Sequence, residues 1–481
     1  MVFGDGYTVP VEIDLLAINR GIVTAPAGCG KTHLIADALI RHTGSKPILV
    51  LTHTNAGVAA LRSRLDREDV PASRYRLYTI DGWAIRLVKT FPRISGIDPA
   101  ALLLHDRKRD YPLIREAAWR LLHGRHIDDV LRATYDRLIV DEYQDCGQRQ
   151  HGIVCNAATT LRTVLLGDPM QAIFGFGDPL PDWNTEVCQH FPVVGQLRTP
   201  HRWIRVGEDA FGRWLLDVRP ILEAGGSIDL SGPIPTNVRW IPLAGDATDH
   251  VTRLSAGMCN APGEEKVLII ADFYKPAAQQ RYASQIPGAV TVENVDLTDL
   301  TAFANRFDVR SPNATHQIIS LADAVMVNVG TNDMMSRLAT LRAGRERRAA
   351  SNAESAVLRF ENERTYSAAG AVLAAINEQG GVRSHRPAIL RGAYNLLKIC
   401  DQTGVSPAEA AATVRERSRL IGRPLAKRTV GSTLLLKGLE ADTCVILETE
   451  SLTAHHLYVA MTRGAKQLII CNHGNILSPA R

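Results

Sequence analysis

Short apolar runs alternate along the chain with stretches whose apolar positions recur every three or four residues. The first run, "GIVTAP" (21–26), is followed by "THLIADALIRHTG" (32–44). There Leu34, Ile35, Ala38 and Leu39 share one helical face, and Gly44 can end the helix. "KPILVLTHT" (46–54) then predicts a strand and "VAALRSRL" (58–65) a helix, with further strands at "YDRLIVDEYQD" (135–145) and "RTVLLGDP" (162–169). Continuous apolar strands separated by helices imply a parallel sheet covered on both faces.

A second set of strands is predicted at "VRWIPLA" (238–244), "KVLIIAD" (266–272), "ADTCVILET" (441–449) and "QLIICNH" (467–473). The stretch from 272 to 441 is too long for a connection. Most of it reads helical, as in "ESAVLRFENERTYSAAGAVLAAINEQGG" and "RPAILRGAYNLLKICDQTG". It is expected to be a domain inserted into a second α/β domain.

Composition narrows the class. At 481 residues the chain is too long for one core. It is 45% hydrophobic and 22% charged, ordinary for a globular protein. No apolar run approaches the roughly 18 residues that span a bilayer. "MVFGDGYTVPVEIDLL" lacks a basic stretch before its apolar residues and does not read as a signal peptide. The eight cysteines are scattered without a C-x-x-C pair, as reduced thiols would be. A cytoplasmic protein without a membrane partner is expected. The net charge of +5 is too small to establish a nucleic-acid partner.

The first candidate chemistry is "TAPAGCGKTHLI" (24–35). A strand, a glycine-rich turn and Lys-Thr opening a helix suit a triphosphate. Gly28 and Gly30 let the backbone turn its N–H groups inward, and the helix N-terminus adds partial positive charge. Lys31 can reach the β- and γ-phosphates, and the Thr32 hydroxyl can ligate Mg²⁺. Ala25 stands where the usual pattern begins with glycine. The candidate nucleotide-binding stretch is Ala25, Pro26, Ala27, Gly28, Cys29, Gly30, Lys31, Thr32 and His33. Some 110 residues on, Asp141 and Glu142 close an apolar strand. Asp141 would hold Mg²⁺ with Thr32, and Glu142 would polarise the attacking water. An Asp-Glu pair after a strand is usually a solvated strand end, but a phosphate loop upstream reverses that. ATP and Mg²⁺ are the expected substrate and cofactor.

From here the sequence resembles the UvrD/Rep/PcrA group of superfamily-one helicases, through an ordered series of motifs. "APAGCGKT" (25–32) resembles motif I, "LTHTNAGVAALRSRL" (51–65) motif Ia, and "VDEYQD" (140–145) motif II. "TIDGWAIRL" (79–87) sits at the Thr-x-His-Gly/Ser position. "LGDPMQAIFGF" (166–176), "LRTPHR" (197–202), "LLKGLEAD" (435–442) and "LYVAMTRG" (457–464) resemble motifs III to VI. The resemblance covers about 21–205 and 428–471. It implies two RecA-like P-loop domains with parallel sheets, a short insertion in the first and a mostly helical insertion in the second. The expected layout is a first domain at 1–87 and 133–200 around an insertion at 88–132. The second follows at 201–272 and 427–481, around a basic insertion at 273–426.

The resemblance also implies residue roles. Gln171 senses the γ-phosphate. Arg202 and Arg463 are arginine fingers contributed by the second α/β domain, so that ATP sits between the two domains. Glu440 touches the nucleotide sugar or the Mg²⁺ shell. Phe176 stands where a tryptophan stacks on a base, with Phe174 beside it. His53, Thr54, Asn55, Thr79 and Trp83 are candidate strand contacts. The implied activity is an ATP-driven helicase or translocase on single-stranded DNA, 3′→5′, meeting duplex junctions as it moves.

The sequence also departs from the family. No adenine-reading glutamine precedes Lys31, Asp81 replaces a histidine, Gly177 an arginine, and Leu434-Leu435 a polar His/Ser pair. Residues 306–428 carry 19 Lys and Arg against 11 Asp and Glu, an excess of eight positive charges. This is either a solvated helical face or a surface for duplex phosphates or an acidic partner. A second reading therefore stays open, a DNA-responsive ATPase subunit regulating a nuclease or another defence or repair partner. Compact UvrD-like proteins beside nucleases in Gabija-type anti-phage systems are the analogy.

Overall fold

The computed structural model describes residues 12–174, 178–272, 274–345, 347–418 and 425–480. Contacts divide them into two compact units. The first runs to Asn237 and takes back Leu452–Lys466 and the stretch from Ile476. The second holds Val238–Ser451 and Gln467–Asn475.

The first unit is built on β1 (Arg20–Thr24), β2 (Ile48–Thr52), β3 (Tyr75–Thr79), β4 (Arg137–Val140), β5 (Arg162–Gly167) and β6 (Val193–Gln196). They form one sheet in the order β3-β2-β4-β5-β1-β6, with every pair parallel. The central strands β2 and β4 are buried along their whole length. That is why "ILVLT" and "RLIV" lack polar alternation: helices cover both faces. The helices used below are α1 (Lys31–Arg41), α2 (Asn55–Arg67), α3 (Ile80–Thr90), α4 (Arg107–His123) and α5 (Gln148–Ala157). They are followed by α6 (His201–Ile204), α7 (Asp209–Glu223) and α8 (Ala454–Met461). Thr54 and Thr79 cap α2 and α3, accepting hydrogen bonds from Gly57 N at 3.0 Å and Gly82 N at 2.9 Å. Each cap satisfies an N–H that would otherwise be orphaned at a helix start.

The second unit has strands β7 (Val238–Pro242), β8 (Val267–Ile270), β9 (Ala289–Thr291), β10 (Arg428–Gly431), β11 (Ala441–Ile446) and, from Gln467 on, β12 (Gly464–Asn472). They make a parallel sheet in the order β9-β10-β8-β11-β12-β7. Two six-stranded parallel sheets are the α/β class expected from the sequence. Between β9 and β10 the chain is mostly helical, from Thr298–Ala304 to Pro407–Ser418. These helices own an apolar core that includes Phe303, Phe360, Leu373 and Leu396. A cluster of that kind, at about 1.5–3 kcal/mol per buried large side chain, lets an insertion hold its own shape. Arg383 ties it to the end of helix Pro276–Gln285, and Arg386 joins the segment after β9 to the first helix of the insertion. Arg383 donates to the carbonyls of Ala283, Ser284 and Ile286, and Arg386 pairs with Glu293 and Asp299 at 2.6–2.8 Å.

Among the described residues no helix is long and apolar enough to cross a membrane. Contacts part the chain at 237/238 rather than at 200/201. The reason is α7, whose Phe211, Leu215, Val218 and Leu222 are buried and whose Arg219 is bound by Asp168 of the first unit.

Candidate functional site

The loop after β1 turns through two glycines in the left-handed region, Gly28 at φ 71° and Gly30 at φ 85°. Gly30 directly precedes α1 and occupies its N-cap. A side chain at Gly28 would meet the Trp203 ring at 2.4 Å, and one at Gly30 the His201 ring at 2.9 Å. Both positions therefore need glycine for conformation and for space. Ala25, Pro26, Ala27, Cys29 and His33 are buried, so the loop is seated in the unit rather than free.

Lys31 opens α1 half-buried and stands between two carboxylates. Its Nζ lies 2.7 Å from Glu142 Oε2 and 3.3 Å from Asp141 Oδ1. Burial disfavours the ammonium, but the two acids outweigh it and hold its pKa above the ordinary value. Burial pushes the Asp141 carboxyl up, with Lys31 opposing. Glu142 sits at φ 54°, a conformation that L-residues adopt at a cost of about 1–3 kcal/mol. Its N–H donates to Asp141 Oδ1 at 2.9 Å, and Gln144 Nε2 donates to Glu142 Oε2 at 2.6 Å. The strained backbone and the Gln144 amide together aim this carboxylate at the loop. Asp141 offers a carboxylate oxygen beside the loop lysine, with Thr32 next in the chain, and such oxygen donors are what Mg²⁺ prefers. The residues present fit the cation.

Two segments, α6 and α8 with the residues after it, are packed on this loop within the first unit. Arg202 N donates to Gly28 O at 3.0 Å, Trp203 Nε1 to Gly464 O at 3.0 Å, and Ala27 N to the Tyr458 hydroxyl at 3.3 Å. Arg202 Nη1 reaches Thr462 O at 2.5 Å, and its guanidinium lies 5.2 Å from the Trp203 ring centre. Arg463 is buried; its Nε donates to Val459 O at 2.8 Å and its Nη2 to Thr462 Oγ1 at 3.2 Å. The sequence expectation had both arginines arriving with the second α/β domain. The structure packs them with the phosphate-loop unit, because α6, α7 and α8 bury their apolar faces there.

Gln171 Nε2 donates to Asp168 Oδ2 at 3.0 Å. Asp168 is fully buried and also accepts from Met170 N at 3.1 Å and from Arg219 Nη2 at 2.6 Å. Gln144 Oε1 accepts from Asp168 N at 3.1 Å, so one amide side chain joins this hub to Glu142.

The candidate strand contacts scatter. Asn55 is exposed at the start of α2, and His53 lies half-buried with its ring 6.0 Å from that of Phe174. Thr79 is occupied as the cap of α3. Trp83 is a correction: its side chain is fully buried in the helix-covered core and offers no face to a base. It faces inward because α3 turns its apolar stripe of Ile80, Trp83, Ala84 and Leu87 to the sheet. Asp81, beside it, is paired with Arg115 of α4 at 2.7 and 2.8 Å. Phe176 lies outside the described residues. Glu440 is an exposed residue of the second unit, just before β11.

Four contributors escaped the sequence reading: Gln144, Trp203, Arg219 and Tyr458. Gln144 and Tyr458 stand inside "VDEYQD" and "LYVAMTRG", so their place in a motif was the signal. Arg219 had one signal, a charge within the apolar stripe of α7.

Residues 14–177 match a family model described as "AAA domain", a stretch that contains Lys31, Asp141, Glu142 and Gln171. Two curated relatives are named as the same component of an ATP-dependent helicase/nuclease. The one from Oenococcus oeni is 28% identical over 98 residues, 20% of this chain and 8% of its own length. The one from Leuconostoc mesenteroides is 29% identical over 138 residues, 24% of this chain and 10% of its own. The matched stretch thus spans a tenth or less of these relatives. Among solved structures, Pif1 helicase from Candida albicans aligns over 97% of this chain and 94% of its own, at 12% identity and a TM-score of 0.40. Arterivirus nonstructural protein 10 (helicase) with DNA aligns over 94% and 61%, at 9% identity and a TM-score of 0.35. By the family match and the curated relatives, the first unit is similar to helicase-type ATPase domains.

Proposed function

We propose that the chain is an ATP hydrolase of the superfamily-one helicase type that couples turnover to movement on single-stranded DNA, in the 3′→5′ direction. The observation that carries the proposal is the Lys31–Asp141–Glu142 cluster beside a loop with two left-handed glycines at a helix N-terminus. Lys31 and the loop N–H groups bind the phosphates. Asp141 and Thr32 hold Mg²⁺, which neutralises the charge that develops on the transferring phosphoryl group. Glu142, aimed by Gln144, orients the attacking water and takes its proton. Arg202 and Arg463, already in this unit, supply delocalised charge once a nucleotide draws them from the carbonyls they now bind. Gln171 reports the nucleotide through Asp168, and His53, Asn55 and Phe174 offer a surface to the strand. We place the protein in the cytoplasm.

A second reading is an ATPase component that serves a nuclease in DNA processing or anti-phage defence. It is favoured by the name the two relatives share, which joins helicase to nuclease. Two measurements on the purified chain test both. Hydrolysis of ATP should rise with added single-stranded DNA and vanish in Lys31→Ala. Displacement of a strand from a 3′-tailed duplex supports the motor. DNA-stimulated hydrolysis without displacement supports the nuclease-serving role, and no ATP turnover at all overturns both.

A further inference from the structure

Outside the phosphate site, α5 and the short helix Cys188–His190 bring together His151, Cys155 and His190. We propose that these three side chains bind a divalent cation of the Zn²⁺ class. Each offers one ligand atom, and the three atoms lie within 4.8 Å of one another. His151 and Cys155 are four residues apart on α5 and so share a face, with Nε2 and Sγ at 3.4 Å. His190 closes the group from the next element, its ring centre 5.6 Å from that of His151. Ligand atoms about 2.0–2.3 Å from a tetrahedral Zn²⁺ are about 3–4 Å from one another, so only a small closing movement is needed. Two imidazoles and a thiolate suit Zn²⁺, whereas Mg²⁺ and Ca²⁺ take oxygen ligands.

An independent contact points the same way. The Tyr143 hydroxyl lies 2.7 Å from His151 Nδ1. A ligating histidine characteristically has its other nitrogen held like this, which fixes the ring and turns the remaining nitrogen toward the metal. Binding releases the Cys155 thiol proton to solvent and forms a metal–thiolate bond, with no change of oxidation state. Three protein ligands leave a fourth position for water. Tyr143 directly follows Glu142, so the cation would staple α5 and the 188–190 segment to the strand end that carries the Asp141–Glu142 pair.

The test uses the full chain, stripped with a chelator and titrated with Co²⁺ as a spectroscopic stand-in for Zn²⁺. The expected result is one tightly bound equivalent that shows thiolate-to-cobalt charge-transfer absorption and is displaced by Zn²⁺. Cobalt at the Mg²⁺ position would give no such band, because its donors are oxygens. Cys155→Ser should remove the band. His190→Ala alters an exposed side chain that folding does not need, and should weaken binding at least tenfold. Tyr143→Phe should weaken it by about 10–100-fold. Circular dichroism of each variant checks the fold. Should Cys155→Ser misfold, His190→Ala decides alone. The proposal is overturned if the wild type takes up no stoichiometric cobalt with a thiolate band, or if His190→Ala binds as the wild type does. The three side chains are then only a hydrogen-bonded corner of the core.

Discussion

Asp168 and Lys31 are the centres of two charge clusters in the same unit, and they are closed to different degrees. Asp168 has no exposed surface, and its carboxylate accepts from the Arg219 guanidinium, the Gln171 amide and the Met170 N–H. The Arg219 guanidinium also reaches the half-exposed Glu223 carboxylate at 2.9 Å, so it bridges a buried acid to one at the surface, and hydrogen bonds take up the remaining Asp168 lone pairs. Around Lys31 a single ammonium faces two carboxylates, one of them on a left-handed residue. Unlike Asp168, Glu142 is partly exposed, and the cluster sits at a helix N-terminus that favours an anion. A closed buried pair holds structure. A partly exposed cluster at a helix N-terminus is where the proposed cation and nucleotide would enter.

The sharpest way to break this comparison is at Glu142. Glu142→Gln keeps the shape and the link to Gln144 but removes the base, so turnover should fall by about 10²–10⁴ with ATP binding retained. Its stability should stay near that of the wild type, because Asp141 still pairs with Lys31. Steady-state hydrolysis and nucleotide binding measured side by side check this. Near-normal turnover would remove Glu142 as the base.

Asp168 should behave in the opposite way. Asp168→Asn removes the buried counter-charge of Arg219 and leaves only the half-exposed Glu223, at a cost of about 3 kcal/mol. A urea titration would show the midpoint falling at constant slope. Replacing both partners, as in Asp168→Leu with Arg219→Met, should recover much of the loss. If Asp168→Asn unfolds no earlier than the wild type, the hub is not a structural pair and the contrast fails.

The second unit supplies a buried group with no charge at neutral pH. His385 lies between Arg383 and Arg386, and burial, helped by the two guanidiniums, pushes its pKa down to about 4. An unfolded histidine titrates near 6.5, so the unfolded chain takes the proton first as the pH falls. Stability from this residue is therefore full above about pH 6.5 and is lost progressively toward pH 4. His385→Gln should flatten that acid limb by about 1–3 kcal/mol, read from denaturation midpoints at pH 7 and pH 4.5. An unchanged pH profile would mean that this histidine is already charged in the folded chain.

The parts of the molecule that sequence made legible are those that local chemistry dictates. Continuous apolar runs become the buried strands β2, β4, β8 and β11, and the Gly-x-Gly-Lys-Thr turn becomes a left-handed loop ahead of α1. Lys31, Asp141 and Glu142 fall together because each ends or begins an element at the same edge of one sheet. Strands β3, β6, β9 and β10 were not legible. They are short, and Tyr75–Thr79 and Arg428–Gly431 hold polar residues that pairing, not periodicity, places in a sheet. Trp83 shows the limit of motif reading, since a position in a motif does not tell which face of the helix it occupies. Arg219 and Tyr458 show a second limit. They lie 51 residues from Asp168 and 431 from Ala27 along the chain, and only long-range packing brings each to its partner.

The smallest expected effect concerns charge that is not closed at all. The arginines of the insertion divide into two groups. Arg337, Arg342 and Arg359 are paired with Glu354, Glu361 and Glu363 on the neighbouring helix or their own. Arg345, Arg347 and Arg348 follow helix Thr331–Arg342, are exposed, and make no ion pair among the described residues. The helical excess of positive charge is thus partly consumed by the fold, and the loop after that helix is where a phosphate backbone could still find it. Arginine forks bind phosphate and carboxylate alike, so salt dependence must separate the two. Changing all three to Glu should leave stability within about 0.5 kcal/mol, as exposed substitutions usually do. ATP binding at Lys31 should be intact. If the loop touches duplex, affinity at low salt should fall, and the slope of log affinity against log salt should flatten by about 0.9 for each lost contact. Unchanged affinity and an unchanged slope would show that these arginines are merely solvated, and the contrast between closed and open charge would then hold only within the first unit.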